Sequence, residues 1–142
     1  MNWTIEFVES LDLIKVIYEG KCSVEDSIRA KQAYLSSEYW RPGINVLVDF
    51  RQVIFDFTRL DELRKSVRFN AENQDKYGSS RIAYVVKSQR DFGVVRQIKA
   101  LMECYTETKV MPFMEESEAI NWLEKERVTK IAEVAEQIKL AA

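Results

Sequence analysis

The stretch VLVDFRQVIFDFTRLDEL, residues 46–63, gathers the residue types most open to chemistry. An apolar run ends at Asp49, Asp56 follows, and Thr58 stands where a helix is expected to begin. In parallel sheets, ligands and partners collect beyond the carboxyl ends of the strands, and Asp49 falls near such an end. A helix N-terminus presents unpaired amides and the positive end of its dipole. A phosphate on the Thr58 hydroxyl is therefore electrostatically welcome there. Thr58 also fits as a plain N-cap with Asp61 as its capping-box partner, which is the more frequent use of such a residue.

The rest of the chain removes other chemistry. Among 142 residues there is no histidine, which takes away most metal sites and the Ser-His and Cys-His nucleophiles. No glycine-rich nucleotide loop, nucleophile elbow or zinc-spaced cysteine pair is present. EGKCS, residues 19–23, lacks the first glycine of a phosphate loop. Glu115 and Glu116 are adjacent, so on a helix they point apart and read as a favourable acidic first turn. No catalytic residue, metal or cofactor is expected.

Charge and composition bound the partners. Formal net charge is -2, with 21 basic and 23 acidic residues interspersed, so no bulk field favours nucleic acid or an anionic membrane. Arg64, Lys65 and Arg68 form a small basic patch, but Asp61, Glu62 and Glu72 interrupt it. The sequence shows no signal-peptide pattern and no run near the ~18 apolar residues of a membrane span. Cys22 and Cys104 are isolated thiols, so a reduced, cytoplasmic protein without stable membrane insertion is expected. A chain of this size buries roughly 68–70% of its unfolded surface, enough for one ordinary domain.

Periodicity predicts the elements. WTIEFV (3–8) and LIKVIYEG (13–20) read as a hairpin across the break ESLD. Ser23 and Asp26 open a helix whose apolar positions are Val24, Ile28, Leu35 and Tyr39, ended by RPG at 41–43. NVLVDF (45–50) and RIAYVV (81–86) are nearly continuous apolar runs, as in strands buried on both faces. A helix from Thr58 to about 76, with Leu60, Leu63, Val67 and Ala71, separates them. DFGVVRQIKALMECY (91–105) is a further helix, and KVMPFM (109–114) a last strand that Pro112 sends to a sheet edge. The end is one or two helices. The order ββαβαβαβα implies an α/β fold with a mainly parallel sheet and an N-terminal antiparallel hairpin.

That order, with VLVDF, a short connection and DFT at a helix start, resembles the STAS domain of bacterial anti-sigma-factor antagonists and of the cytoplasmic part of sulfate transporters. The family motif is an aspartate, an apolar pair and a D-S-S-G turn. Here it corresponds to Asp49, Val53 and Phe55, then Asp56, Phe57, Thr58 and Arg59. Thr58 falls where the antagonists carry the serine phosphorylated by their partner kinase, while Phe57 and Arg59 depart from the motif. RIAYVV, FGVVRQIKALME and VMPFMEESEAINWL also resemble small stand-alone bacterial STAS-like proteins. The resemblance covers about residues 1–125. It implies a non-enzymatic module that binds a protein, a kinase or an anti-sigma-like regulator. The expected contact residues are Asp49, Ile54, Asp56, Phe57, Thr58 and Arg59 on the loop 51–58 and the helix after it. Val53 and Phe55 are expected to turn inward.

A second kind of function comes from the superfamily's likeness to lipid-binding domains. Met102, Tyr105, Met111, Phe113 and Met114 could line an adaptable apolar pocket for a small hydrophobic ligand, although core packing is the commoner role for such residues. Trp122 is expected in the core, and Trp40 at the surface near the hairpin. Residues 1–126 are expected to form the STAS-like domain and 127–142 an amphipathic helical extension. Val128, Ile131, Ala135 and Ile138 repeat at a seam spacing. Such a stripe must be buried, on the same subunit or in a homodimer through residues 127–142.

Overall fold

A computed structural model describes residues 2–55 and 59–141; of 126–130 only the helical backbone is described. Strand β1 (Asn2–Val8) pairs antiparallel with β2 (Leu13–Cys22) across a single 3-10 turn, Glu9–Leu11. Asp12 closes that turn in the left-handed conformation, φ 50°, which Asp tolerates better than most residues. Strands β3 (Asn45–Phe55), β4 (Arg81–Val85) and β5 (Lys109–Phe113) follow in parallel, giving the sheet order β1-β2-β3-β4-β5. Pro112 lies on the edge strand, where its missing donor costs no ladder bond.

Both faces of the central strands are covered, which explains their unbroken apolar character. Ile14, Val16, Val46, Val48, Ile82 and Tyr84 face α1 (Val24–Leu35), α2 (Leu60–Glu72) and α4 (Gln89–Tyr105). Leu13, Leu47, Ala83 and Val85 face the opposite way, onto Ala119 and Leu123 of α5 (Glu116–Ala141). The expected α/β fold is therefore the one observed.

Four local expectations are corrected. First, residues 51–55 are not loop: β3 runs on to Phe55, paired with β2 as far as Cys22↔Phe55. Second, α1 ends at Leu35, and its buried face is Val24, Ser27, Ala30, Lys31 and Tyr34. Tyr39 lies beyond the helix, exposed and stacked on Phe7 at 4.7 Å. Third, α2 starts at Leu60 with Arg59 at the cap position and no side-chain cap bond; the expected cap, Thr58, lies outside the described residues. Fourth, Trp40 is half-buried against Tyr34 and Tyr77, and its indole N–H donates to the Lys76 carbonyl. The Ser23–Asp26 capping box forms as read. Trp122 packs on Phe113, with ring centroids 5.8 Å apart.

The C-terminal tail is one helix, α5, continuous from Glu116 to Ala141. From Ile131 to Ala141 every residue is exposed, with Ile131 at 59% and Ile138 at 66%. The part of the stripe that is described is not buried on the same chain.

The short helix α3 (Gln74–Tyr77) ends at Gly78, whose φ 59° and ψ −126° suit only glycine. A Cβ there would stand 3.2 Å from the Pro42 Cβ and 3.3 Å from the Gly43 backbone nitrogen. Gly78→Ala is therefore expected to cost about 2–3 kcal/mol, read as a lower urea midpoint at unchanged slope. Gly20→Ala, at φ 91° but with nothing within 4 Å of the added Cβ, should cost less.

Candidate functional site

The bend in β3 is built by Asp49. Three steps of β3, Asp49 to Gln52, pass two steps of β2, Ile17 to Glu19. One residue is thus extra, a β-bulge. The Asp49 carboxylate accepts from the Arg51 backbone N–H at 3.0 Å, which ties the bulge, and from the Arg51 guanidinium at 3.0 and 2.8 Å. Arg51 also approaches Glu116 at the start of α5, 3.8 Å, and Lys15 pairs with Glu116 at 2.7 Å. Burial pushes the Asp49 carboxyl up, but the hydrogen bonds and charge of Arg51 outweigh it and hold the pKa below the ordinary value. Asp49 is 7% exposed and forms the buried end of a charge network whose other members, Arg51, Glu116 and Lys15, are partly exposed.

Beyond the bulge, side chains alternate cleanly. Val53 and Phe55 are buried, as the family motif implied, and Ile54 is 62% exposed. Residues Asp56, Phe57 and Thr58 lie outside the described residues. Across that segment, Arg59 is exposed, 3.5 Å from Asp61, and Leu60 is 50% exposed at the first turn of α2. Two large apolar side chains, Ile54 and Leu60, therefore flank residues 56–58 on the surface.

Helix α2 is fixed in place by a feature that pattern reading missed. Lys31 of α1 is buried, and its ammonium donates to the Ser66 carbonyl (3.2 Å), the Ser66 hydroxyl (2.9 Å) and the Asn70 amide oxygen (2.6 Å). It also stands over the Phe69 ring at 5.9 Å. Among the described residues no carboxylate joins it, and desolvation pushes its pKa down to about 7. Beside it the Tyr34 and Tyr77 hydroxyls share a 2.7 Å hydrogen bond. An exposed ion pair, Lys65 to Glu25 at 2.9 Å, joins the same two helices at the surface. The spacing 24-27-31-34 was readable as a stripe, but it contains Ser27 and Lys31, residue types normally assigned to water.

The expected pocket is not assembled. Met102 is buried under the α1–α2–α4 layer, while Phe113 packs on the opposite side of the sheet with α5. Tyr105 is 61% exposed at the end of α4. Met111 lines a separate groove of about 330 Å³ on the β5 edge, with Arg81, Lys99 and Trp122. Met111 and Phe113, two positions apart, share the α5 face of β5, whereas Met102 and Tyr105 belong to α4 on the other side of the sheet, so the four do not converge. Cys22 is buried and its thiol is pushed up to about 12 by desolvation, the opposite of a reactive thiolate. Among the described residues, no group of three or more acidic or cysteine side chains could hold a metal, and no helix is long and apolar enough to cross a membrane.

With this geometry in hand, comparison decides the family. The SpoIIAA-like family matches residues 13–124. The chain belongs to the SpoIIAA-like family. No curated protein matches it. Among solved structures, it is similar to an uncharacterised DUF3478-family protein with a SpoIIAA-like fold from Shewanella loihica PV-4. That likeness has a TM-score of 0.58 at 18% identity and covers 85% of this chain and 93% of that one; it bears on fold. The family match spans the whole sheet except β1, and every helix on the α1–α2–α4 face.

Proposed function

We propose that this SpoIIAA-like chain is a non-enzymatic regulatory module of the cytoplasm that binds a protein partner where β3 ends and α2 begins. The observation that carries the proposal is the pair Ile54 and Leu60, exposed on either side of residues 56–58. Their neighbours Val53, Phe55 and Leu63 are buried, so the two side chains face water on a rigid frame. Exposed apolar surface rimmed by polar residues is a mark of interaction sites when it is contiguous. The partner belongs to the class the family resemblance implies, a kinase or an anti-sigma-like regulator.

Thr58 lies between the two and is the candidate phosphorylation site. A phosphate brings about −1.5 to −2 charge at pH 7. At a helix start the fold tolerates it, but an apolar interface over the same surface does not. A switch needs no more than that. The arrangement favours this reading over a hydrophobic carrier, because Met102 and Phe113 lie on opposite faces of the sheet.

Ile54→Asp and Leu60→Asp test the surface. Both positions are exposed, so urea midpoints should match the parent. Binding to the partner isolated from the source cells should weaken by more than tenfold, about 1.4 kcal/mol per factor of ten. Thr58→Glu should act in the same direction. Equal capture of that partner by the parent and all three variants would remove the proposed surface.

A further inference from the structure

The outer side of α2 carries a groove that this partner surface does not include. It lies between α2 and α4, encloses about 170 Å³, and is lined by Arg64, Arg68, Ala71 and Tyr105. Arg64 and Arg68 are one helical turn apart, so their guanidinium groups rise from the same wall. Among the described residues, neither has an ion-pair partner. Nearby cations are already committed: Lys65 to Glu25, Arg59 to Asp61 and Lys99 to Glu103. The structure thus separates the sequence's basic patch into a spent Lys65 and two unspent arginines that share a cavity.

The lining defines the ligand. Among the described residues it holds two guanidiniums, one phenol and one methyl group, and no carboxylate. A carboxylate is satisfied by one guanidinium fork. Two forks one turn apart suit a group with three oxygens and close to two negative charges, a phosphoryl group. The exposed Tyr105 ring offers an aromatic face to whatever carries the phosphate, and Ala71 leaves room on the floor. We propose that the α2–α4 groove binds a phosphate monoester, with Arg64 and Arg68 clamping the phosphoryl oxygens and Tyr105 packing against the organic part. This holds whether or not the Ile54–Leu60 surface binds a partner.

The test is a titration of the full chain with phenyl phosphate and, separately, with inorganic phosphate, followed by amide shifts in the ¹⁵N spectrum. Saturable shifts are expected at Ala71, Tyr105 and the α2 residues around Arg68, with phenyl phosphate tighter than phosphate. Arg64→Gln with Arg68→Gln should weaken both ligands at least tenfold at an unchanged urea midpoint, since both side chains are exposed. Tyr105→Ala should weaken phenyl phosphate and leave inorganic phosphate unchanged. A capped tripeptide centred on phosphotyrosine separates the sources. Tighter binding than phenyl phosphate points to a phosphorylated protein, and weaker binding to a free organic phosphate. Linear shifts spread over all surface cations, or equal affinity in the double variant, would overturn the site.

Discussion

Between pH 7 and pH 9 the protein should become more stable as the solution becomes more basic, by about 2 kcal/mol. The cause is Lys31, whose folded pKa is pushed down to about 7 by burial from an ordinary 10.5. Across that window the unfolded chain keeps the lysine proton while the folded chain, half deprotonated at pH 7, releases the remainder. The unfolded state therefore holds more protons, and stability rises with pH. The gain is lost as pH falls from the unfolded value toward 7. Of the groups facing Lys31, Cys22 alone opposes the rise, and only toward the upper end of this window. Ser66 and Asn70 of α2 are neutral, and Cys22 of β2 is pushed up to about 12 from 9.0. The buried Tyr18, Tyr34, Tyr77 and Tyr84 are all raised by burial. Glu25, on α1, is already ionised, lowered by its bond to Lys65. Above pH 9 the cysteine and then the tyrosines reverse the trend, because the unfolded chain ionises them first. Urea midpoints at pH 7, 8 and 9 read the rise directly. Lys31→Met should flatten it, since the titrating group is gone. A parent protein with midpoints constant over this range would show that its three hydrogen bonds keep Lys31 charged.

Leu63→Ala should cost about 3 kcal/mol, whereas Leu60→Ala, three residues earlier on the same helix, should cost less than about 0.5. Leu63 is fully buried and Leu60 is half-exposed. The first change leaves a cavity between α2 and the sheet; the second removes a side chain already in water. Thermal or urea unfolding of the two variants side by side checks it. The contrast matters for function because it separates the anchoring face of α2 from the face offered to a partner. If both cost the same, Leu60 is packed and the proposed surface is not free.

What the sequence made legible follows physical strength of signal. NVLVDF and RIAYVV announced strands covered on both sides, and the sheet buries Val46, Leu47 and Val48 accordingly. The Ser23–Asp26 box announced a helix start because its two hydrogen bonds are local. The continuation of β3 past Asp49 was hidden for a matching reason. Asp49, Arg51 and Gln52 look like a loop, and only their mutual hydrogen bonds and the bulge keep them in the sheet. Asp49 itself read as a site residue, yet its charge is spent on Arg51. Lys31 was invisible because its acceptors, Ser66 and Asn70, are 35 and 39 residues away in sequence. Ile54 is exposed between two inward neighbours, as alternation along a strand requires, although the segment read as a loop.

Binding of a protein partner at the Ile54–Leu60 surface is the function proposed for this SpoIIAA-like chain. Native mass spectrometry of the chain isolated from its own cells tests it most directly. The expected result is a complex with a second, different protein that is lost in Leu60→Asp, and a free chain whose mass includes no small hydrophobic molecule. A monomer that retains a lipid-like ligand, with no protein complex that Leu60→Asp removes, would contradict it.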